Sequence, residues 1–467
     1  MQGILAYGAY VPPGRLDRSA ISALLGQPAG RGSRSVASHD EDSTTLAVEA
    51  ARVALRRAPA GTAPAALLLS TTTPTYFDRT NASAVHAALD LEPACGAYDF
   101  VGASRSATGA LRFGLGAGGP TLVVAADVRT GLPGSADETT GGDAAAAFLV
   151  GDGPALAEVV GSGTSTAEFL DRWRIPGEAS SRLWEDRFAE SAYLPLATDA
   201  VDSALKAAGV ALEDVARVVV AGLHERSAKG LAKRLEADAS AVTAAIGNPG
   251  AAQPGVLLVE ALDALSAGQH LLLVNLADGA DVLVLRATEE LERVRAWTPL
   301  ARSVTTGTRS VPYPTFLTWR GMLDREPPRR PDPDPPAPPA SARHERWKYA
   351  FVAGVCSACG ARHLPAMQTC MTCEHPGPME PLRLADTHGT VVTYTVDRLT
   401  YSLSPPVVAV VIDLDGGGRF QTELTDCDPE AVAIGDRVEM TFRRFFLARN
   451  GIANYFWKAR PLTEEDA

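Results

Sequence analysis

The sequence predicts an α/β chain in two styles: a sandwich built twice from the same helix and strand units, then a small metal-tied ribbon and a β-barrel of about five strands. Three observations carry this. A helix-loop-strand pattern occurs twice in the first three hundred residues, a proline-rich stretch at 326–346 ends it, and strand-like alternation with two Cys-x-x-Cys pairs fills the rest. The boundaries expected are 1–155 and 156–295 for the two halves, 296–346 for a connecting helix and linker, 347–380 for the ribbon and 381–467 for the barrel.

In the first half, TTLAVEAARVALRRAPAGTAPAALLLSTTTP (44–74) reads as a helix, a Gly/Pro loop and a buried strand. In the second, LATDAVDSALKAAGVALEDVARVVVAGLHE (196–225) reads the same way. A short helical stretch follows each, 82–93 and 228–239, and then a helix feeding a strand, 106–128 and 254–279. Alternating helices and strands imply largely parallel sheets covered on both faces, with the site between the halves.

EPPRRPDPDPPAPPASARHER (326–346) is expected to be a stiff linker that forms neither helix nor sheet interior. Beyond it, Cys356, Cys359, Cys370 and Cys373 have the spacing of a closed tetrahedral zinc site with no open position, so the metal is expected to be structural. His363 and His375 lie nearby and are read as neighbours of that site or surface residues, and Cys95 and Cys427 as small buried hydrophobes. GTVVTYTVDRL, PVVAVVIDLDGGGRFQTEL and GDRVEMTFRRFF read as barrel strands, with Asp415-Gly416-Gly417-Gly418 as a turn.

Hydrophobic residues make up 46% and charged residues 21%, the balance of a globular protein. The net charge of −12 repels phosphate backbones and anionic lipid, and residues 346–467 carry 12 Lys/Arg against 15 Asp/Glu, so neither nucleic acid nor membrane is expected as a partner. The start MQGILAYGAYVPPGR lacks the charged and apolar regions of a signal peptide, and the expected location is the cytoplasm.

The segments DEDSTTLAVEAA (40–51), YDFVGASRSATGAL (98–111), GGDAAAAFLVGDG (141–153), GLHERSAK (222–229), GNPGAAQP (247–254) and ADGADVLVL (277–285), in this order, resemble the thiolase superfamily. The resemblance spans roughly residues 1–290 and is closest to the hydroxymethylglutaryl-CoA synthase-like and chain-initiating ketoacyl synthase branch. It implies a nucleophile at a buried helix start, where Asp99, Ala103 and Thr108 match and Ser104 stands in place of the family's cysteine. It further implies His224 and Asn248 as the family's histidine and asparagine, Thr72 where some members carry a catalytic glutamate, and Lys229 and Lys233 as cations for CoA phosphates. Arg226, Lys229 and Lys233 share one helical face. The ribbon and barrel resemble the zinc-ribbon/OB-fold proteins that accompany thiolase-like enzymes.

A helix N-terminus offers a negative charge about 0.3–1 kcal/mol, enough to favour a thiolate but not to ionise a hydroxyl. Ser104 therefore needs a general base, for which His224 is the candidate, while His224 and Asn248 can also donate to an oxyanion. The leading expectation is an enzyme acting on an acyl-CoA or acyl-carrier thioester by acyl transfer or by making or breaking a carbon-carbon bond. Two alternatives stand beside it: a retro-aldolase or lyase without an acyl-enzyme, and an inactive scaffold that channels acyl intermediates for a partner thiolase. A homodimer through the thiolase-like part is implied by the same resemblance.

Overall fold

The structure, a computed structural model, describes residues 2–294, 297–329 and 334–462. It forms two compact units, one of Met1–Ser38, Asp42–Ser83 and Glu92–Leu323, the other of His39–Glu41, Ala84–Leu91 and Asp324–Ala467. No helix among the described residues is long and apolar enough to cross a membrane.

In the first unit, one half comprises β1 (Gln2–Tyr10), β2 (Ala66–Thr71), β3 (Gly96–Val101), β4 (Thr121–Val128) and β5 (Asp143–Asp152). The other comprises β6 (Ala157–Thr166), β7 (Val215–Gly222), β8 (His270–Leu276) and β9 (Gly279–Ala287). Hydrogen bonds join all nine in the order β7-β8-β9-β6-β1-β5-β4-β2-β3. In the first half β1 and β4 pair antiparallel with β5, and β2 pairs parallel with both β4 and β3. In the second half β6 and β8 pair antiparallel with β9, and β7 pairs parallel with β8. The predicted duplication is thus present with one strand fewer in the second copy: β2 corresponds to β7 and β4 to β8. The halves meet where β1 pairs with β6 over Gly3↔Glu158 and Ile4↔Ala157.

Five helices position the site: α1 (Ser43–Arg56), α2 (Arg105–Leu115), α3 (Asp186–Ala208), α4 (Glu225–Arg234) and α5 (Gln253–Ala264). Asp42 and Thr45 close a capping box at the start of α1, a helix buried over most of its length. Its alanines let β1 come close, so close that a Cβ on Gly8 would lie 2.6 Å from the Ala54 nitrogen. Ala107 and Leu111 of α2 and Val256, Leu258 and Leu262 of α5 share one core with Val123 and Ala125 of β4 and with Leu271, Leu273, Leu283 and Leu285 of β8 and β9. Each fully buried leucine here is worth about 1.5–3 kcal/mol, and the shared core registers the strand ends of one half against those of the other.

In the second unit, β10 (Gly389–Asp397), β11 (Val407–Leu414), β12 (Arg419–Glu423), β13 (Arg437–Leu447) and β14 (Ala453–Pro461) form the predicted barrel in the order β12-β11-β10-β13-β14. A bridge between Leu424 and Ala459 closes it. Phe351 lies 4.9 Å from Phe420 and 6.2 Å from Phe456 between ring centroids and supplies its aromatic filling. Buried Arg443 and Lys458 ion-pair with Asp40 at 3.5 and 3.0 Å, which holds the segment His39–Glu41 in this unit. Within the proline-rich stretch, 330–333 lie outside the described residues. Its end departs from expectation, because Pro338–Arg343 and Glu345–Lys348 are short helices. The prolines at 338 and 339 occupy a first helical turn, where no amide hydrogen is required.

Candidate active site and metal centre

Ser104 stands between β3 and α2, almost fully buried, in helical backbone geometry (φ −61°, ψ −25°), and its side chain makes no capping hydrogen bond to α2. The ordinary reason for a serine at a helix start therefore does not apply. The next residue fixes the helix: Arg105 Nε donates to Asp281 at 3.0 Å, and one Nη donates to the Asp278 carbonyl at 2.6 Å. Thr108 Oγ1, one turn on, also donates to Asp281 at 3.0 Å. Burial works against the Asp281 charge, but hydrogen bonds from Arg105, Thr164 and Thr108 outweigh it and hold the carboxyl below its usual 3.8.

His224 follows β7 and caps α4. Its Nδ1 accepts the Ser227 backbone N–H at 3.2 Å and lies 2.7 Å from the Ser227 hydroxyl. A backbone N–H cannot turn away, so Nδ1 presents its lone pair and the neutral ring carries its proton on Nε2. In this tautomer Nε2 is a donor rather than the base that Ser104 needs. Asn248 spends one Nδ2 hydrogen on the Gly222 carbonyl at 2.9 Å, accepts from Gly250 N at 3.0 Å, and retains a second N–H.

Two adjoining cavities contain these groups. Ser104 lines one of about 100 Å³ together with Thr72, Arg174, Tyr193 and Asp278; His224 and Asn248 line one of about 380 Å³ together with Arg226 and Lys229. Arg129, Asp171, Arg172 and Leu223 line both. Lys233 does not reach either lining. Arg226 pairs with Glu190 at 2.6 Å and Lys229 with Glu225 at 2.5 Å, both as exposed bridges of the kind worth about 0–1 kcal/mol, so either cation can exchange its partner for a phosphate at little cost.

Sequence reasoning missed a set of charged residues around Thr72. Thr72 Oγ1 donates to Asp127 at 2.7 Å and accepts from Arg129 at 3.0 Å, and its carbonyl accepts from Arg174. Asp127 is completely buried and also accepts from Thr71 Oγ1, Thr72 N and Ala251 N, so its lone pairs are spent and it does not supply the missing glutamate's proton transfer. Arg129 and Arg172 both bind Asp137, at 3.0 and 2.5 Å. Tyr193 donates to Asp171 at 3.1 Å, and burial, followed by the Asp171 charge, keeps the phenol protonated.

In the second unit, the four sulfurs of Cys356, Cys359, Cys370 and Cys373 all lie within 4.8 Å of one another, with Cys356–Cys373 at 3.7 Å and Cys359–Cys370 at 3.6 Å. Tetrahedral ligands at a Zn–S length of about 2.3 Å stand about 3.8 Å apart, so the donor set fits that metal. His363 Nε2 lies 3.4 Å from Cys370 Sγ, a neighbour of the site rather than a fifth ligand, and Cys95 and Cys427 are buried as expected.

A family model described as the ChsH2 C-terminal OB-fold domain matches residues 383–443. A hydroxymethylglutaryl-CoA synthase of Methanothermobacter thermautotrophicus is 26% identical over 346 residues, covering 69% of this chain and 99% of that protein. A crystal structure of an HMG-CoA synthase complexed with CoA superposes with a TM-score of 0.57 at 18% identity, over 68% of this chain and 89% of that one. The first unit is thus a thiolase-like, hydroxymethylglutaryl-CoA synthase-like domain, carried in one chain with an OB-fold module. A DUF35 domain-containing scaffold protein of the same organism is 30% identical over 125 residues, which are 26% of this chain and 93% of that protein. The chain belongs to the DUF35 domain-containing family.

Proposed function

We propose that this chain is a thioester-dependent enzyme that makes or breaks a carbon-carbon bond beside the thioester carbonyl, with His224 and Asn248 as oxyanion donors and without acylation of Ser104. The observation that carries this reading is the His224 tautomer, which makes Nε2 a donor in a residue that lines the larger cavity and so withholds that nitrogen as a base for Ser104. In the cleavage direction, the hydroxyl on the departing carbon gives its proton to water and becomes a carbonyl as the carbon-carbon bond breaks. The bonding pair moves into an enolate whose oxygen accepts from His224 Nε2–H and Asn248 Nδ2–H, and the enolate carbon then takes a proton from water. The thioester is a CoA or acyl-carrier ester, whose phosphates Arg226 and Lys229 meet at the rim of the larger cavity.

Turnover of a panel of short acyl-CoA esters, with intact-mass analysis for acyl-enzyme, tests this. The expected outcome is turnover without a mass increase on Ser104; an acyl adduct lost in Ser104→Ala would restore the covalent route.

The same reading includes one structural zinc on the four cysteines, location in the cytoplasm, and a homodimer through the β3 edge, where Tyr98 and Val101 are 57% and 46% exposed. A second reading, a scaffold serving a partner thiolase, is favoured by the scaffold description of the DUF35 relative. Full activity of His224→Ala in complex with such a partner would establish it.

A further inference from the structure

Resting on that reading and deepening it, we infer that the acyl group handled beside Ser104 carries its own carboxylate, held by Arg174 with Arg129. Three guanidinium groups, Arg129, Arg172 and Arg174, line the cavity that contains Ser104 and Thr72. Two of them share the single carboxylate of Asp137. Arg174 donates only to a neutral acceptor, the Thr72 carbonyl, and forms no ion pair among the described residues. Arg129, 3% exposed, has a buried Nε with no hydrogen-bond partner among the described residues.

Three acids near Arg174 are committed elsewhere, and a fourth in the cavity lining, Asp278, has a carboxyl that burial pushes up. Asp127 is saturated by Thr71, Thr72 and Ala251, Asp137 by Arg129 and Arg172, and Asp171 takes the Tyr193 hydroxyl. Burial, and then the neighbouring charge of Arg129, hold the Arg174 guanidinium below its ordinary value. A partly buried cation without an anion is an unfavourable arrangement unless a ligand supplies one, and a planar guanidinium matches a carboxylate through two parallel hydrogen bonds.

Position selects the source of the anion. Arg174 lines the cavity of about 100 Å³ that contains Ser104, so the anion it meets belongs to the acyl end of the thioester. The phosphates of the carrier arm belong at the other cavity, beside Arg226 and Lys229. Arg172 and Arg174 come from one small hairpin, in which Arg172 and Trp173 pair with Leu183 and Arg182. Arg174 is therefore set by this hairpin and Arg129 by the end of β4, neither by the strand end that holds His224.

Calorimetric titration of the full chain with succinyl-CoA and with butyryl-CoA, of equal acyl length, tests the inference. The expected result is succinyl-CoA binding at least about ten-fold tighter, since a site built for a polar group rejects the analogue that lacks it. Arg174→Ala should bring the two dissociation constants within about two-fold, and Arg174→Lys, which keeps the charge and loses the fork, should fall between. Equal affinity of the wild-type protein for both esters overturns the carboxylate site and leaves the thioester reading standing. If neither ester binds, the thioester reading fails and the inference fails with it. A preference for succinyl-CoA that survives in both variants, with unchanged melting temperatures, assigns the carboxylate to another group and overturns Arg174.

Discussion

The two halves of the first unit use equivalent strand ends for opposite work. β2 and β7 are counterparts: after the first comes Thr72, bound to Arg129 and Asp127, and after the second comes His224, capping α4. β4 and β8 are also counterparts, ending near Arg129 in one half and Asp278 in the other. Partial burial, and then the charge of Asp171, push the Asp278 carboxyl up, whereas Arg129 is tied to Asp137. Duplication thus supplies two similar scaffolds around one core, and divergence at a few strand-end residues gives one half Thr72 and Arg129 and the other His224 and Asp278. In open α/β sheets the carboxyl ends of strands are where such change is tolerated, because the core beneath them is unaffected.

If the second half carries the chemistry, His224→Ala should lower kcat by about 10²–10³, the usual effect of losing one oxyanion donor. Steady-state kinetics on a substrate found in the acyl-CoA panel checks it, and an equal loss in Ser104→Ala would erase the asymmetry between the halves. The proposal that Ser104 is not acylated instead expects Ser104→Ala to retain activity within about ten-fold.

The sheet edges differ as well: β3 presents the exposed large apolar residues Tyr98 and Val101, whereas among the described residues the exposed apolar residue of β7 is the small Ala216. If the proposed homodimer forms through the β3 edge, replacing Tyr98 with Glu should raise its dissociation constant by about 10- to 100-fold, measured by light scattering across a dilution series, because a buried unpaired charge costs several kcal/mol.

The smallest effect concerns the clamp that joins the halves, Arg105 with Asp281. Asp281→Asn should cost about 1–3 kcal/mol at neutral pH, as expected for a charged group left without its partner. The carboxyl is held below its ordinary value in the folded protein, so its contribution is present above pH 4 and is lost as pH falls through the folded value. The stability gap between wild type and variant should therefore close on acidification below about pH 4 in denaturant titrations.

Much of this was legible in the sequence. The repeated helix-strand pattern is visible because strands buried on both faces read as continuous apolar runs, as DAAAAFLV does in β5. The four cysteines declare themselves by spacing alone. Ser104, His224 and Asn248 are candidates from motif order, which leaves His224 as either base or oxyanion donor; the backbone amide three residues on that bears on its tautomer is not visible in the pattern. The arginines were not legible either: 172 and 174 sit in a segment without periodicity, and only the sheet order brings β4 beside β2 so that Arg129 meets Thr72. The helix at Pro338 was hidden by a rule applied too broadly, since proline breaks helix interiors but suits a first turn.

The missing fifth strand of the second half has a consequence for assembly size. At the β7 edge, Asp238 occupies both main-chain groups of Val218, its N–H donating to the Val218 carbonyl and its carboxylate accepting the Val218 N–H. Arg217 pairs with the same aspartate at 2.9 Å. A nine-stranded sheet with two adhesive margins is a monomer unit for a fibre; a sheet with one is a unit that finds a mate and then has nothing left to offer. If the proposed homodimer forms through the β3 edge, the half-domain copied without its outermost strand, its vacancy plugged by a single carboxylate, would stop assembly at two.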